Sequence, residues 1–348
     1  AESREKMLDK IERLDKPMEE HADMKIKLEP NIVSGNDVLM VEGLSKSFGS
    51  NHLFSDISFE IKRGERVALI GNNGTGKTTI LKIINNLIPA DGGTVTLGSN
   101  VHIGYYDQEH HVLHDEKTIF DEISDDYPSL THTQIRNTLA AFQFTGEEVF
   151  KQIRTLSGGE KGRVSLAKLM LSEANFLILD EPTVGVDPLS RRELGRILDA
   201  MRLRSQMTVV MSTAYLDEAE TADRVIVLSR GRIAAQGKPQ ALCAPLTGRT
   251  FRAEAIEAEH SSTLARTLME AAALPPGLAL IIDAVPRGRF IDLLAAAQSG
   301  ANELSLRLRQ SLHSGPLPAF HLAQRPPTLE DLLADQGYLS SDAASGSS

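Results

Sequence analysis

Residues 71–79 read GNNGTGKTT, directly after the strand-type run RVALI at 66–70 and directly before ILKII at 80–84. The pattern G-x-x-x-x-G-K-[ST] between a strand-type run and a helix-type run marks a phosphate-cradling loop. Gly71, Gly74 and Gly76 let the backbone curl until its N–H groups face phosphate oxygens. The helix that follows adds the positive end of its dipole. Lys77 is expected to bridge the β- and γ-phosphates of a nucleotide, and Thr78 to place its hydroxyl on Mg²⁺. Asn72, Asn73 and Thr79 complete the stretch. A glycine-rich turn with an incidental lysine would not need this strand–loop–helix setting.

Two further motifs extend the reading. FLILDEP at 176–182 ends an apolar run with two carboxylates, which are costly at a buried strand end unless something uses them. Asp180 is expected to hold Mg²⁺, directly or through water, and Glu181 to polarise the attacking water as general base. TLSGGEKGR at 155–163 places Ser157-Gly158-Gly159 at a helix start, a second anion site built from a hydroxyl, N–H groups and a dipole. One nucleotide held by a complete phosphate loop does not need it.

With these motifs in this order, residues 37–240 resemble an ATP-binding cassette (ABC) ATPase. The resemblance implies an α/β P-loop NTPase cassette, with a mixed sheet core and a helical subdomain. It implies MgATP as ligand and a head-to-tail dimer in which Ser157 and Gly159 meet the γ-phosphate of a second cassette's ATP. It places Phe48, in LSKSFG, where an aromatic ring stacks on adenine; the alternative is an ordinary core Phe. Gln108, in GYYDQ, matches the glutamine that reaches the metal and senses the γ-phosphate. Asp187, in VGVD, matches the loop linking the two sites. The family presents a histidine after the strand at 208–212, where this chain has Ala214 in MSTAYLDEAE. Losing one such transition-state contact costs about 10²–10³ in rate, so slowed hydrolysis is expected, the alternative being a module that binds ATP without hydrolysing it.

The totals bound the rest. The chain has 348 residues, one cysteine and a formal charge of −10. That acidity argues against direct DNA binding, since a phosphate backbone is neutralised by Lys and Arg. A lone thiol, Cys243, forms no internal disulfide and suits the cytosol. No apolar run approaches the ~20 residues of a spanning helix, and AESREKMLDK carries no signal-peptide core. The location expected is cytoplasmic, with peripheral attachment to the inner face of the membrane where a partner supplies it. The charged, helix-like opening without an initiator Met reads as the interior of a longer polypeptide. His110 and His114 in EHHVLH stand at i,i+4, but no further ligand supports a metal site.

Composition changes abruptly near Thr183. Residues 1–183 hold 13 Lys and 7 Arg, and residues 184–348 hold 1 Lys and 16 Arg; Asn falls from 10 to 1 and Ala rises from 8 to 26. Helices accept Lys about as readily as Arg, so helix content does not explain the reversal. The halves read as joined from genes of different base composition. The resemblance divides at the same place. REKMLDKIERLDKP and the text from TIFDEISDDYP to LSGGEKGRVSLAKLML resemble the second cassette of an ABC-F protein, the ribosome-associated branch. TVGVDPLSRRELGRIL, STAYLDEAE, DRVIVLSRGRIAAQG and PTLEDLL resemble the nucleotide-binding subunit of a drug-exporter-type ABC transporter. The partners implied are a second cassette, a membrane-embedded transporter subunit and, from the first half, the ribosome. The organisation expected is a charged helical linker at 1–36, the cassette at 37–243, a small α+β domain at 247–337 and a disordered tail at 338–348. PTLEDLLADQ should open a helix with Thr328 as N-cap and Asp331 three residues later.

Overall fold

The run Arg66–Ile70 is buried at every residue, as a strand is when both faces of its sheet are covered. The computed structural model describes residues 32–106, 113–172, 174–275, 279–311 and 317–337. The linker stretch at 1–31, Gln108 and His110 within 107–112, and the tail at 338–348 lie outside the described residues.

In chain order the first elements are β1 (Asp37–Phe48), β2 (Asn51–Lys62), β3 (Arg66–Ile70), α1 (Lys77–Ile84), β4 (Gly92–Leu97) and β5 (Ile103–Tyr106). A helical stretch follows, with α2 (Ile119–Asp126), α3 (His132–Ala141) and α4 (Gly158–Leu171). Then come β6 (Phe176–Asp180), α5 (Pro188–Ser205), β7 (Thr208–Ser212), α6 (Leu216–Glu220), β8 (Arg224–Ser229), β9 (Arg232–Gly237) and α7 (Pro239–Cys243). A six-stranded sheet runs β5-β6-β7-β3-β8-β9, parallel throughout except for β9, which returns antiparallel on β8. A three-stranded antiparallel sheet, β2-β1-β4, covers one of its faces.

Strand alternation explains the two cores. Val67, Leu69, Phe176, Ile178, Val210 and Ile226 point toward the antiparallel sheet and α1, where they meet Phe54, Ile57, Ile61 and Ile80. Ala68, Ile70, Leu177, Leu179, Val209 and Met211 point the other way, onto Val164, Leu194 and Leu198 of the covering helices. Each fully buried side chain of this size contributes about 1.5–3 kcal/mol.

At two places the structure departs from the local sequence pattern. Asp91-Gly92-Gly93 reads as a turn, but Gly92 and Gly93 begin β4 and lie along β1. The register slips there, Gly93 takes φ +83°, and a Cβ on it would sit 2.5 Å from Gly43. Only glycine fits that bulge. The helix after the phosphate loop ends at Ile84, although the apolar pattern runs on to Leu87-Ile88, because Asn86 enters the left-handed region at φ 57°.

The sheet interleaves the two compositional halves. β5, β6 and β3 come from before Thr183, and β7, β8 and β9 from after it, so β3 has a second-half strand on each side. Gly64 N donates to Thr208 Oγ1 at 3.0 Å, Arg66 N to Asp223 Oδ2 at 2.8 Å, and Arg66 Nη1 to Asp199 Oδ1 at 3.0 Å. The fit is imperfect: the buried Nε atoms of Arg66, Arg202 and Arg224 have no hydrogen-bond partner among the described residues, and such orphans cost stability.

After Leu246 come β10 (Thr250–Ala255), α8 (Ser261–Ala272), β11 (Ile281–Arg287), β12 (Phe290–Ala295), α9 (Ala301–Ser311), β13 (Phe320–Gln324) and α10 (Leu329–Asp335). The strands form an antiparallel sheet in the order β11-β12-β10-β13. Its core contains Phe251, Leu264, Leu268, Ile291, Leu293, Leu304 and Phe320. The sequence reading names neither β12, α9 nor β13. FIDLLA is as rich in Leu as a helix, and its pairing with β10, Phe251 opposite Leu293, makes it a strand. Thr328 caps α10 in a capping box with Asp331. That helix leaves its own sheet. Leu329, Leu332 and Leu333 join the cassette core, and Leu329 N donates to Glu220 Oε1 of α6 at 3.0 Å.

Candidate active site

The loop 71–79 joins β3 to α1 as its sequence requires. Gly76 is the N-cap of α1 at φ 97°, with no side-chain cap. The N-cap residue therefore offers no side chain to the first-turn N–H groups. A Cβ at Gly76 would meet Phe54 Cδ1 at 2.7 Å, and one at Gly71 would meet the Leu228 carbonyl oxygen at 2.4 Å. Lys77 is 4% exposed. Its Nζ donates to the carbonyls of Gly71 (2.8 Å) and Asn72 (3.3 Å) and lies 3.9 Å from Glu181 Oε1. Burial holds the Lys77 ammonium below the usual lysine range, against the pull of Glu181 and Asp180 in the other direction. The lysine thus curls over its own loop, beside a carboxylate.

Thr78 Oγ1 donates to Asp180 Oδ1 at 3.1 Å. Asp180 is buried, at 3% exposure. A hydroxyl and a carboxylate oxygen this close form the oxygen-only donor set that Mg²⁺ favours. Glu181 is the next residue, past the strand end, at φ 47°. That left-handed backbone is uncommon for a non-glycine residue. Leu53, Asn73, Gly74, Gly76, Lys77, Thr78, Thr79 and Glu181 line a cleft of about 270 Å³. The structure thus brings together both motifs read from sequence. One residue was missed. Ser212, at the end of β7, donates to Asp180 Oδ1 at 2.6 Å and accepts the Glu181 N–H at 2.9 Å. A serine closing an apolar strand was the available signal.

The other predicted residues stand apart from that cleft. Ser157 caps α4 in a capping box, with its hydroxyl donating to Glu160 Oε2 at 2.9 Å. Ser157 and Gly158 are exposed. The Ser157 N–H, and then its hydroxyl, hold the Glu160 carboxyl below its ordinary range. Gly159 faces Val186, just before Asp187. Asp187 is exposed, and its carbonyl accepts Arg191 N at 3.0 Å. Phe48 is 52% exposed at the end of β1, with Lys46 Nζ 5.3 Å from its ring centroid. A core role for Phe48 is therefore excluded. Gln108 is among the residues not described. His114 is tied to the buried Glu122, at 3.0 Å from Nδ1.

Ala214 is exposed. It lines a second cavity, of about 450 Å³, with Gly71, Asn72, Asn73 and Thr75 on one side and Leu333 and Gly337 on another. The alanine position therefore faces the same space as the phosphate loop.

A family model described as ABC transporter matches residues 54–184. The linearmycin resistance ATP-binding protein LnrL of Bacillus subtilis is 32% identical over 232 residues, which cover 62% of this chain and 73% of LnrL. The chain belongs to the ABC transporter family. This ABC cassette is also similar to the putative ATP-binding protein YdiF of Bacillus subtilis, 44% identical over 199 residues, 57% of this chain. The chain spans about a third of YdiF's length, 31%. Among solved structures, CbiO1 from Clostridium perfringens, described as part of the ABC transporter complex CbiONQ, superposes with a TM-score of 0.52 at 27% identity. That match covers 60% of this chain and 92% of CbiO1. ABC cassettes are ATPases that bind ATP with Mg²⁺, and they dimerise. No described helix is long and apolar enough to cross a membrane.

Proposed function

We propose that this cassette binds MgATP in the cleft between the phosphate loop and β6 and hydrolyses it slowly, in a head-to-tail dimer. The observation that carries the reading is the convergence of Lys77, Thr78, Asp180 and Glu181: Nζ to Oε1 at 3.9 Å and Oγ1 to Oδ1 at 3.1 Å. The loop N–H groups of residues 72–79 and Lys77 would hold the phosphates. Phe48 offers an exposed ring for adenine. Thr78 and Asp180 would hold Mg²⁺, with Gln108 assigned to it by motif alone. Mg²⁺ would neutralise phosphate charge. Glu181 would take a proton from the attacking water onto its carboxylate. Ser157 and Gly158, exposed at the head of α4, the half-buried Gly159 beside them, and Asp187 beyond Val186 would face the ATP of a second cassette. For Ser157 that requires its hydroxyl to leave Glu160. Ala214 supplies no imidazole to the γ-phosphate, hence the slow turnover.

The test is Mg²⁺-dependent ATP hydrolysis by the purified chain beside Lys77→Ala and Glu181→Gln. ATP binding lost in the first variant and turnover lost in the second support the reading. ATP binding unchanged in Lys77→Ala would overturn it.

A second reading, as the ATP-binding subunit of an exporter docking on a separate membrane subunit, is favoured by the match that spans 73% of LnrL. Co-purification with a membrane protein supports it. Sedimentation with ribosomes in ATP would instead favour the translation-factor reading suggested by the text of residues 1–183.

A further inference from the structure

Tyr215 follows Ala214 directly, and its ring lies under the Arg191 guanidinium, 3.9 Å from Cζ to the ring centroid. Arg191 sits in the first turn of α5, with its N–H on the carbonyl of Asp187 at 3.0 Å. On the other side of Ala214, Thr213 is 1% exposed. Its hydroxyl donates to Glu218 Oε2 at 2.7 Å and accepts Tyr215 N–H at 2.9 Å. The loop is thus held at both flanks, by α6 and by α5, while its central residue carries only a methyl group.

That distribution has a mechanical consequence. A histidine could reach a phosphate by changing rotamer. Alanine cannot; the polar groups it offers are those of its backbone, and they move only with the loop. Where they stand is set by Thr213 and Tyr215. We propose that the Arg191–Tyr215 stack is a positioning element of this cassette, which sets the Ala214 loop against the phosphate loop and links it to the segment at Asp187. The proposal rests on the ATPase reading above. A stacked cation is the suitable device, since it is attracted to the ring face without a fixed hydrogen-bond direction.

The test compares Arg191→Ala, Tyr215→Ala, the double variant, Arg191→Lys and Tyr215→Phe with wild type. In each of the two alanine variants kcat for ATP should fall about five- to tenfold, with KM for ATP changed less than about twofold. The double variant should be no slower than either single one, and Arg191→Lys and Tyr215→Phe should keep most of the activity. Effects of the two alanine substitutions that multiply independently would overturn the proposal, as would a loss confined to KM. Amide hydrogen exchange provides a readout that needs no turnover. Exchange at residues 213–216 should quicken in Arg191→Ala and not in Arg191→Lys, at unchanged melting temperature; equal exchange in wild type and Arg191→Ala overturns the coupling. Absent Glu181-dependent hydrolysis sinks the ATPase reading alone, and the exchange result then decides the coupling separately.

Discussion

Ser212 Oγ lies 2.6 Å from Asp180 Oδ1, and the same hydroxyl oxygen accepts the Glu181 N–H at 2.9 Å. A residue on β7 therefore holds the Asp180 carboxylate and the backbone of Glu181 at the end of β6, although 31 positions separate it from Glu181. Replacing Ser212 by Ala leaves a fully buried carboxylate oxygen and a backbone donor without that partner. The expected cost is about 1–3 kcal/mol of stability, read from urea unfolding, with kcat reduced more than ATP affinity. Unfolding and turnover identical to wild type would mean that the hydroxyl positions nothing.

Ala214→His should raise ATP turnover. The alanine shares a cavity of about 450 Å³ with Asn72, Asn73 and Thr75, so an imidazole has room toward the phosphate loop. A gain of at least about tenfold is expected, since one transition-state donor is worth about 10²–10³. Unchanged kcat in a folded Ala214→His variant would show that the loop stands too far from the nucleotide for a side chain to matter.

Gly76→Ala should destabilise the fold and weaken ATP binding together. The position has φ +97°, and the new methyl would lie 2.7 Å from Phe54 Cδ1, on a fully buried ring. Left-handed strain plus that clash should cost about 1–3 kcal/mol. Gly158→Ala is the control. Among the described residues nothing lies within 4 Å of its Cβ position, and its stability should stay within about 0.5 kcal/mol of wild type. Equal melting temperatures for the two variants would contradict the packing described for the loop.

Cys243 closes α7 at 5% exposure. Burial, with Glu220 and Asp331 nearby, pushes its thiol up to about 11. Because the folded-state value is raised, the folded protein holds this proton more tightly than the unfolded chain. The resulting stability is fully present below the ordinary thiol range and is lost as pH rises toward about 11. Wild type should lose stability over that alkaline window more steeply than Cys243→Ala. Iodoacetamide at pH 8 should modify the thiol slowly in the native state and rapidly in urea; fast native modification would refute its burial.

The strands and helices of the cassette were legible because their signals are contiguous. Phe176–Asp180 is apolar up to its closing carboxylate and lies in mid-sheet, and Pro128 marks the break between α2 and α3. Gly92-Gly93 is ambiguous in sequence because glycine marks a turn and a bulge equally well, and only the pairing with β1 distinguishes them. β12 was unreadable because a Leu-rich hexamer takes the structure of its neighbours.

The chain by itself determined the phosphate loop, the carboxylate pair, the second anion motif at Ser157 and the break in composition at Thr183, since each is a short local pattern whose chemistry follows from residue type and spacing. The tertiary structure alone decided that Phe48 is exposed, that Ser212 holds Asp180, that Arg191 covers Tyr215, and that β3 is flanked by strands from the other half. Those relations join residues far apart in the chain. They exist only after the sheet has brought its strands to within hydrogen-bonding distance, and no local spacing encodes them.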